Sequence, residues 1–495
     1  MIQPHRNGIL LQKQRAAAND NQQSSSKPII TSSHSQKIIT YITTSDTSLQ
    51  YTHHHPSMTK KRIRIPPVPV AEDAEAEEVA ALSICSQARS KWLEATTLQE
   101  LEDVIALYRQ ALNAKKTGVD IKKESKKRFS GKIMNTRAQA DQFVALSPKD
   151  YRKAGERLSL LYLQSGRPHK AQPGLQFLGF TCRLAEHVLN YPVHARTNAM
   201  VKRNKSNKSK GKGKKKKNAP PCCILDDFLT ASEFAHLQSV FVDPKAAYWT
   251  DHNYKIDPPS PYFSHVLNLS KHKQGFLGKL IHKVAKCPKL LQKFPQLKQA
   301  RYVEMWAHNR PHASGHQLHF DSDDEGKGGV RNPIISTILY LSTSPNIGGP
   351  SLITNQRLTS TKLASKGWLA HSQPSRLVAF DGQVLHGVVP GKGVPSSSQR
   401  RVTLMMAFWK DIQVQPGNTP GSARPWPIMA KGQTQMTPPS WAADLSRNDV
   451  DVIANDNSYR PFDGIELNHV YEHLDGRAWD EQDPMPEYDQ VCQGF

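Results

Sequence analysis

Between residues 300 and 409 the chain carries seven short runs rich in β-branched and aromatic residues: ARYVEMWAH, HQLHFD, PIISTILYLS, SLITN, RLVAFDG, VLHGVV and RRVTLMMAFW. Gly, Pro, Asn and Ser separate them, which is the pattern of strands joined by turns. So many strands without helices between them predict an antiparallel sandwich or barrel. The region is expected to open near Pro220, where CCILDDFLTASEFAHLQSVF reads as an apolar strand, an acidic turn and a helix. Thr230 and Glu233 have the spacing of a capping box there.

Upstream the text is helical. AEDAEAEEVAALSICSQARSKWLEA places acids first and bases later, the order a helix macrodipole favours. In LQELEDVIALYRQALNA, Leu98, Leu101, Ile105, Leu107 and Leu112 are spaced as one helix face. Ser147-Pro148 reads as an N-cap with proline at the first helical position, opening DYRKAGERLSLLYLQSG. PGLQFLGFTCRLAEHVLN (173–190) is predicted as a further helix. No second copy recurs at a fixed period, so a helix-pair repeat is not indicated. The expected organisation is a disordered region over 1–70, a helical domain over 71–200, a lysine-rich linker over 201–218, a β-rich domain over 219–411 and an acidic, Pro-rich extension over 412–495. The fold class is α+β.

The 495 residues carry a net charge of +23, unevenly placed: +22 over 1–218, +9 over 219–411 and −8 over 412–495. A basic front and an acidic tail point to a polyanionic partner, or to the two ends meeting each other. Residues 202–217, KRNKSNKSKGKGKKKK, hold ten bases and no acid. Like charges with nothing apolar to bury do not fold alone, so this is a solvated linker, a nuclear-import signal or a phosphate-binding arm. No aromatic residue interleaves with the lysines, which gives no sign of base stacking. Lys60–Arg64 is a second, weaker import-type cluster, and the run His53-His54-His55 sits in low-complexity text. Six scattered cysteines form no CxxC and no disulfide framework, as in a reduced intracellular protein. No stretch has the ~20 apolar residues of a membrane span. An intracellular setting, nuclear or cytoplasmic, is expected; the acid-poor first 60 residues also fit an organelle transit peptide.

One stretch concentrates chemistry. HQLHFDSDDEG (316–326) packs two histidines and four acids into eleven residues. On a strand, His319 and Asp321 share a face while Phe320 points away, and by the same parity His316 lies opposite His319 with Leu318 and Phe320. An imidazole and a carboxylate on one face supply two ligands of a two-His-one-carboxylate triad, which leaves three positions of an iron(II) octahedron open. His386, in RLVAFDGQVLHGVVPG, is the candidate third ligand. Arg401 and Thr403 share a face of RVTLMMAFW, a guanidinium beside a hydroxyl suited to gripping a carboxylate. Asp323, Asp324 and Glu325 read as a solvated loop or as partners of the ligand histidines. His308 and His312 are candidate mouth residues, with Arg310 as a contact for a substrate carboxylate, and Tyr302 and Trp306 are core aromatics.

The ordered set HFD, YLSTSPNIGGPSL, RLVAFDGQVLHGVVPG and RVT resembles the core of iron(II)/2-oxoglutarate-dependent dioxygenases, in particular the prolyl-4-hydroxylase-like branch, over about residues 220–411. The resemblance implies a double-stranded β-helix, or jelly roll, with His319, Asp321 and His386 holding Fe(2+). It implies Arg401 as the anchor for the distal carboxylate of 2-oxoglutarate, Tyr340 as a further contact to it with Thr403 alongside, and Gly348-Gly349 as the family's turn. Arg400 adjoins the anchor, and Arg401 is preferred because Thr403 then falls on its face. The loop between His386 and Arg401 is longer than is usual for the branch. The implied reaction consumes 2-oxoglutarate and O2, releases succinate and CO2, and hydroxylates an unactivated C–H bond, with a prolyl or other protein side chain as substrate. Two alternatives stand beside it: a noncatalytic scaffold on a degenerate oxygenase fold, with the basic arm binding a polyanion, and a zinc hydrolase using the same three ligands.

Overall fold

The computed structural model describes residues 72–115, 144–192, 220–256, 264–323, 331–395, 397–414, 423–426, 438–453, 460–462, 464–480 and 483–492. The first 70 residues with their histidine and basic clusters, the lysine-rich segment 202–217, and Asp324 and Glu325 lie outside them.

In chain order the helices are α1 (Glu72–Glu94), α2 (Leu98–Asn113), α3 (Pro148–Gln164), α4 (Pro168–Phe177), α5 (Glu186–Leu189), α6 (Ala231–Phe241), α7 (Ala247–Asp251), α8 (Gly275–Ala285), α9 (Pro288–Lys293) and α10 (Ser440–Ser446). The strands are β1 (Cys182–Leu184), β2 (Cys222–Asp226), β3 (Ser264–Asn268), β4 (Tyr302–Arg310), β5 (His316–His319), β6 (Ile335–Tyr340), β7 (Ser351–Arg357), β8 (Gly367–Ala370), β9 (Leu377–Asp381), β10 (Val384–Val388), β11 (Arg401–Trp409), β12 (Ala423–Pro425), β13 (Arg460–Phe462), β14 (Ile465–Leu467), β15 (Tyr471–His473) and β16 (Val491–Cys492).

These strands form an eight-stranded sheet, order β12-β3-β4-β11-β6-β9-β2-β13, a five-stranded sheet, order β14-β8-β7-β10-β5, and a small sheet, order β15-β1-β16. Most pairs are antiparallel; β3–β12 and β1–β16 are parallel. Each of the seven runs read as strands contains one. β11 shows how the layers arise. Its nine residues are buried on both faces, so the run shows no polar alternation. Val402, Leu404, Met406 and Phe408 join a cluster with α6 and α8 through Leu237, Phe241, Phe276 and Leu280. Met405, Ala407 and Trp409 face the other way, into a cluster with Ile338, Val378 and Phe380 of the same sheet and Ile353, Trp368 and Val384 of the five-stranded sheet. The outward face of that second sheet, through Leu318, Leu352, Leu369 and Leu385, packs against Val104, Tyr108, Leu160 and Leu175 of α2 to α4. Two facing sheets thus share one interior, with helices on both outer sides. Each fully buried Leu, Val or Phe side chain contributes about 1.5–3 kcal/mol.

The expected caps form. Thr230 and Glu233 make a reciprocal capping box on α6, and Ser147 caps α3 with Pro148 inside the first turn. Thr97 and Glu100 make a second box on α2. Other expectations need correction. The buried face of α2 is Val104, Ile105, Tyr108 and Ala111, while Leu98 is 71% exposed at the helix start. Residues 173–190 are not one helix. α4 ends at Phe177, Gly179 turns the chain at φ +87°, and Cys182–Leu184 becomes β1, held between β15 and β16. The sequence after 411 supplies edge strands to all three sheets. At one point the basic front and acidic tail do meet: Arg183 of β1 pairs with Glu472 of β15, its cross-strand neighbour.

All six cysteines are free of disulfides. No described helix is long and apolar enough to cross a membrane.

Candidate metal centre and carboxylate anchor

β5 and β10 pair with His386 directly opposite His319. Asp321 comes two residues after His319, where the strand ends. These three residues bring one ligand atom each to within 4.8 Å of one another, and they are the only such group among the described residues. His319 Nε2 lies 3.6 Å and His386 Nε2 3.7 Å from Asp321 Oδ1. Backbone carbonyls fix both rings: His319 Nδ1–H donates to Gln317 O at 2.8 Å, and His386 Nδ1–H donates to Val384 O at 3.1 Å. With Nδ1 taken by a carbonyl, Nε2 is the nitrogen each ring turns inward and the one left to ligate a metal. His386 Nε2 is buried with no hydrogen-bond partner. An imidazole nitrogen enclosed in this way loses the free energy of a hydrogen bond unless a cation or donor fills the space.

Asp321 is held from the far side. Ser336 Oγ donates to its Oδ2 at 2.5 Å, and Asn332 Nδ2 donates to its backbone carbonyl at 2.6 Å. Burial alone would raise this carboxyl. The neighbouring His386 and His319 and the Ser336 hydroxyl outweigh burial and hold it below the usual carboxylate range. Burial pushes His386 down to about 4 despite the Asp321 charge. At neutral pH His386 is therefore a neutral imidazole and Asp321 a carboxylate, with the His319 ring beside them. Borderline divalent metals suit that donor set, iron(II) among them. The residues fit the metal that the sequence implies.

His316 corrects the parity argument. Its ring stacks on His319 with centroids 4.6 Å apart, and its other side meets His308 edge-on at 5.4 Å. The β5–β10 register slips between the pairs His386–His319 and Val388–His316. Such a bulge adds a residue to one strand and reverses the alternation beyond it. His308, His316, His319 and His386 thus form a continuous row of rings. Burial, then the nearby Arg310, push His308 and His316 well below the ordinary imidazole range.

The anchor residues come together on the same inner face. Thr403 pairs with Tyr340 across β11–β6 and with His308 across β11–β4. Arg401 is 2% exposed, its guanidinium carbon lies 5.2 Å from the centre of the Tyr340 ring, and its Nη2 donates to Ser351 Oγ at 3.1 Å. The Tyr340 hydroxyl shares that same Oγ at 2.8 Å and donates to Ala370 O at 3.2 Å. Arg401 Nε and Thr403 Oγ1 are buried without partners. Among the described residues Arg401 forms no ion pair. A buried, unpaired guanidinium beside an unsatisfied hydroxyl has the chemistry to receive a carboxylate. Gly348 makes the fit close. At φ +73°, an added Cβ there would lie 2.5 Å from Arg401 Cδ, and one at Gly349 1.7 Å from Val389 O.

Other residues went elsewhere. His312 ties loops together, accepting from Gly348 N at 3.1 Å and meeting Lys392 O at 3.2 Å. Asp323 is neither solvated nor a partner of the ligand histidines. Its buried carboxylate pairs with Arg331 at 2.9 Å and accepts from Gln413 N at 2.9 Å. Trp306 lies in the inner core with Tyr302 packed against it. Ser336, Ser351 and Asn332 were missed. A lone Ser or Asn in a strand or turn carries no periodic signal.

No protein-family model and no curated protein matches the chain. Solved structures of related outline include the non-heme alpha ketoglutarate dependent epimerase SnoN from nogalamycin biosynthesis, 9% identical over 38% of this chain and 78% of its own, with a TM-score of 0.25. EctD from S. alaskensis with 2-oxoglutarate and 5-hydroxyectoine is 12% identical over 42% and 78%, TM-score 0.25. HygX from Streptomyces hygroscopicus with iron bound is 10% identical over 38% and 82%, TM-score 0.22. Likeness at that level carries no argument about activity; the geometry of the site has to carry it.

Proposed function

We propose that the chain is an iron(II)/2-oxoglutarate-dependent oxygenase of the prolyl-4-hydroxylase-like branch, with the two facing sheets as its double-stranded β-helix. The observation that carries this reading is the convergence of His319, Asp321 and His386, with His386 Nε2 buried and partnerless, beside an equally buried and unpaired Arg401. His319 Nε2, His386 Nε2 and Asp321 Oδ1 would hold Fe(2+). Arg401, with Thr403 and the Tyr340–Ser351 pair, would hold the distal carboxylate of 2-oxoglutarate. When bound, the iron and 2-oxoglutarate supply activation of O2, with succinate and CO2 released and a C–H bond hydroxylated.

The chain's own contribution is positional. The carbonyls of Gln317 and Val384 engage Nδ1 of both imidazoles and leave Nε2 to the metal. Ser336 occupies the outer carboxylate oxygen of Asp321 and leaves Oδ1 to the metal. Phe380 packs against His386 with centroids 4.5 Å apart, and Ile338 and Met405 line the same interior and exclude water. A zinc hydrolase would leave Arg401 and Thr403 without a task. A degenerate scaffold is expected to have lost a ligand or the anchor.

The primary substrate is proposed to be a protein side chain, a prolyl residue first by resemblance. The lysine-rich segment 202–217 is proposed to bind a polyanion; deleting it should flatten the salt dependence of RNA binding, and an unchanged slope rejects the idea. The reading itself is tested by anaerobic equilibrium dialysis with iron(II) and labelled 2-oxoglutarate. One iron per chain is expected, lost in His386→Ala and Asp321→Ala, with 2-oxoglutarate retained only when iron is present. Iron-independent 2-oxoglutarate binding, or none, would refute it.

A further inference from the structure

Directly across the β4–β11 ladder from Arg401 stands a second arginine, Arg310. Cross-strand partners point to the same face of a sheet, so both guanidiniums belong to the interior. Arg310 is 9% exposed. Its Nη1 donates to Gly315 O at 3.0 Å and lies 3.5 Å from Ser314 Oγ, while its Nε is buried with no partner. Among the described residues Arg310 forms no ion pair, and neither does Arg401. Two enclosed guanidiniums side by side repel each other, and each is costly to bury without an anion. The oxygenase reading supplies one anion, the distal carboxylate of 2-oxoglutarate at Arg401. It supplies none for Arg310.

The position of Arg310 says where its anion would sit. His308, two residues earlier on the same strand face, meets His316, which stacks on the ligand His319. A group bound to Arg310 therefore borders the row of histidines that ends at the metal centre. The loop Pro311–Gly315, whose carbonyl the guanidinium holds, leads straight into β5 and its ligand.

We propose that Arg310 receives a carboxylate of the primary substrate, so that the site accepts carboxylate-bearing compounds in preference to their neutral amides. This inference rests on the oxygenase reading and adds the substrate class to it. The carboxylate belongs either to a free acid or to an acidic side chain of a peptide, and the two share the same bidentate chemistry.

The test uses full-length protein loaded with Mn(II) and saturating 2-oxoglutarate. NMR then measures the relaxation that the paramagnetic ion induces in matched probes. Hexanoate is compared with hexanamide for a free acid, and N-acetylglutamate α-amide with N-acetylglutamine α-amide for a side chain. At least one acid should relax several-fold faster than its amide, and which pair does so identifies the source. Arg310→Gln should abolish the difference while changing 2-oxoglutarate affinity less than threefold, and Arg310→Lys should retain part of it. Equal relaxation of acid and amide in both wild-type pairs overturns the proposal. So does a tenfold or greater loss of 2-oxoglutarate affinity in Arg310→Gln, which would assign this arginine to 2-oxoglutarate itself. If wild-type protein binds no Mn(II) and 2-oxoglutarate together, the oxygenase reading fails and this one with it.

Discussion

Arg400 and Arg401 are consecutive and serve opposite sides of the eight-stranded sheet. Arg401 turns inward to Ser351 and the Tyr340 ring; Arg400 turns outward, donating from Nε to Asn309 Oδ1 at 2.6 Å and from Nη2 to Asn309 O at 3.0 Å. Only one of them can reach a ligand between the sheets.

Replacing Arg401 by Gln should therefore raise the dissociation constant of 2-oxoglutarate at least tenfold, since a charge-assisted pair is worth about 1.5–3 kcal/mol and each ~1.4 kcal/mol is a factor of ten. Iron affinity should be unchanged. Arg400→Gln should alter neither, and anaerobic calorimetry of both variants checks the contrast.

Gly348→Ala should weaken the same anchor without touching it chemically. The alanine must adopt φ +73° and its Cβ must displace the Arg401 stem, now 2.5 Å away. Strain at a left-handed non-glycine residue is about 1–3 kcal/mol. A lower melting temperature together with weaker 2-oxoglutarate binding is expected; a change in neither contradicts the packing.

Glu233 does more than cap α6. Its carboxylate is fully buried, accepts from Thr230 N and Ile453 N, and pairs with buried Lys283 at 2.8 Å. Removing one partner of a buried pair leaves the other uncompensated, a cost of about 3–5 kcal/mol. Glu233→Gln should lower the urea-unfolding free energy by that order, and an exposed control such as Glu94→Gln should not.

Acid should destabilise the fold through His265. His252 Nδ1–H donates to Tyr248 O at 2.6 Å, so its Nε2 accepts from His265 Nε2–H at 3.2 Å, an arrangement that needs the His252 ring neutral. Burial, then His252, push His265 down to about 3. A depressed histidine means the unfolded chain takes up the proton first. Stability is full above the unfolded pKa near 6.5 and falls as pH drops below it, by up to ~2 kcal/mol at pH 5 for one such group. Unfolding free energies at pH 7 and 5 should differ less in the double variant His252→Gln/His265→Gln than in wild type.

The strands that carry the site were legible because each is long or strongly β-rich: β6, β10 and β11 fall inside predicted runs, and β4 begins in one and runs two residues past it to Arg310. β8, with four residues, and β1 and β12 to β16, with two or three each, have no period to read and exist because a neighbouring strand offers its edge. The ligand set came from spacing and resemblance, and the same parity rule that paired His319 with Asp321 misplaced His316, because a bulge in pairing leaves no mark in sequence. Leu98 has the spacing of a core residue, yet it is the first residue of its helix and stays 71% exposed. Ser351 and Ser336, which hold Arg401 and Asp321, are defined only by what the fold brings to them.

On the proposed reading, His319, Asp321 and His386 bind iron(II) with 2-oxoglutarate chelated to it and anchored at Arg401. The most direct measurement is the visible spectrum of the anaerobic protein with iron(II) and 2-oxoglutarate, in which chelation gives a metal-to-ligand charge-transfer band. A band in wild type, absent in His386→Ala and reached only at much higher 2-oxoglutarate in Arg401→Ala, is the predicted result. Folded wild-type protein that shows no band at saturating iron(II) and 2-oxoglutarate would rule out a 2-oxoglutarate-chelating iron centre.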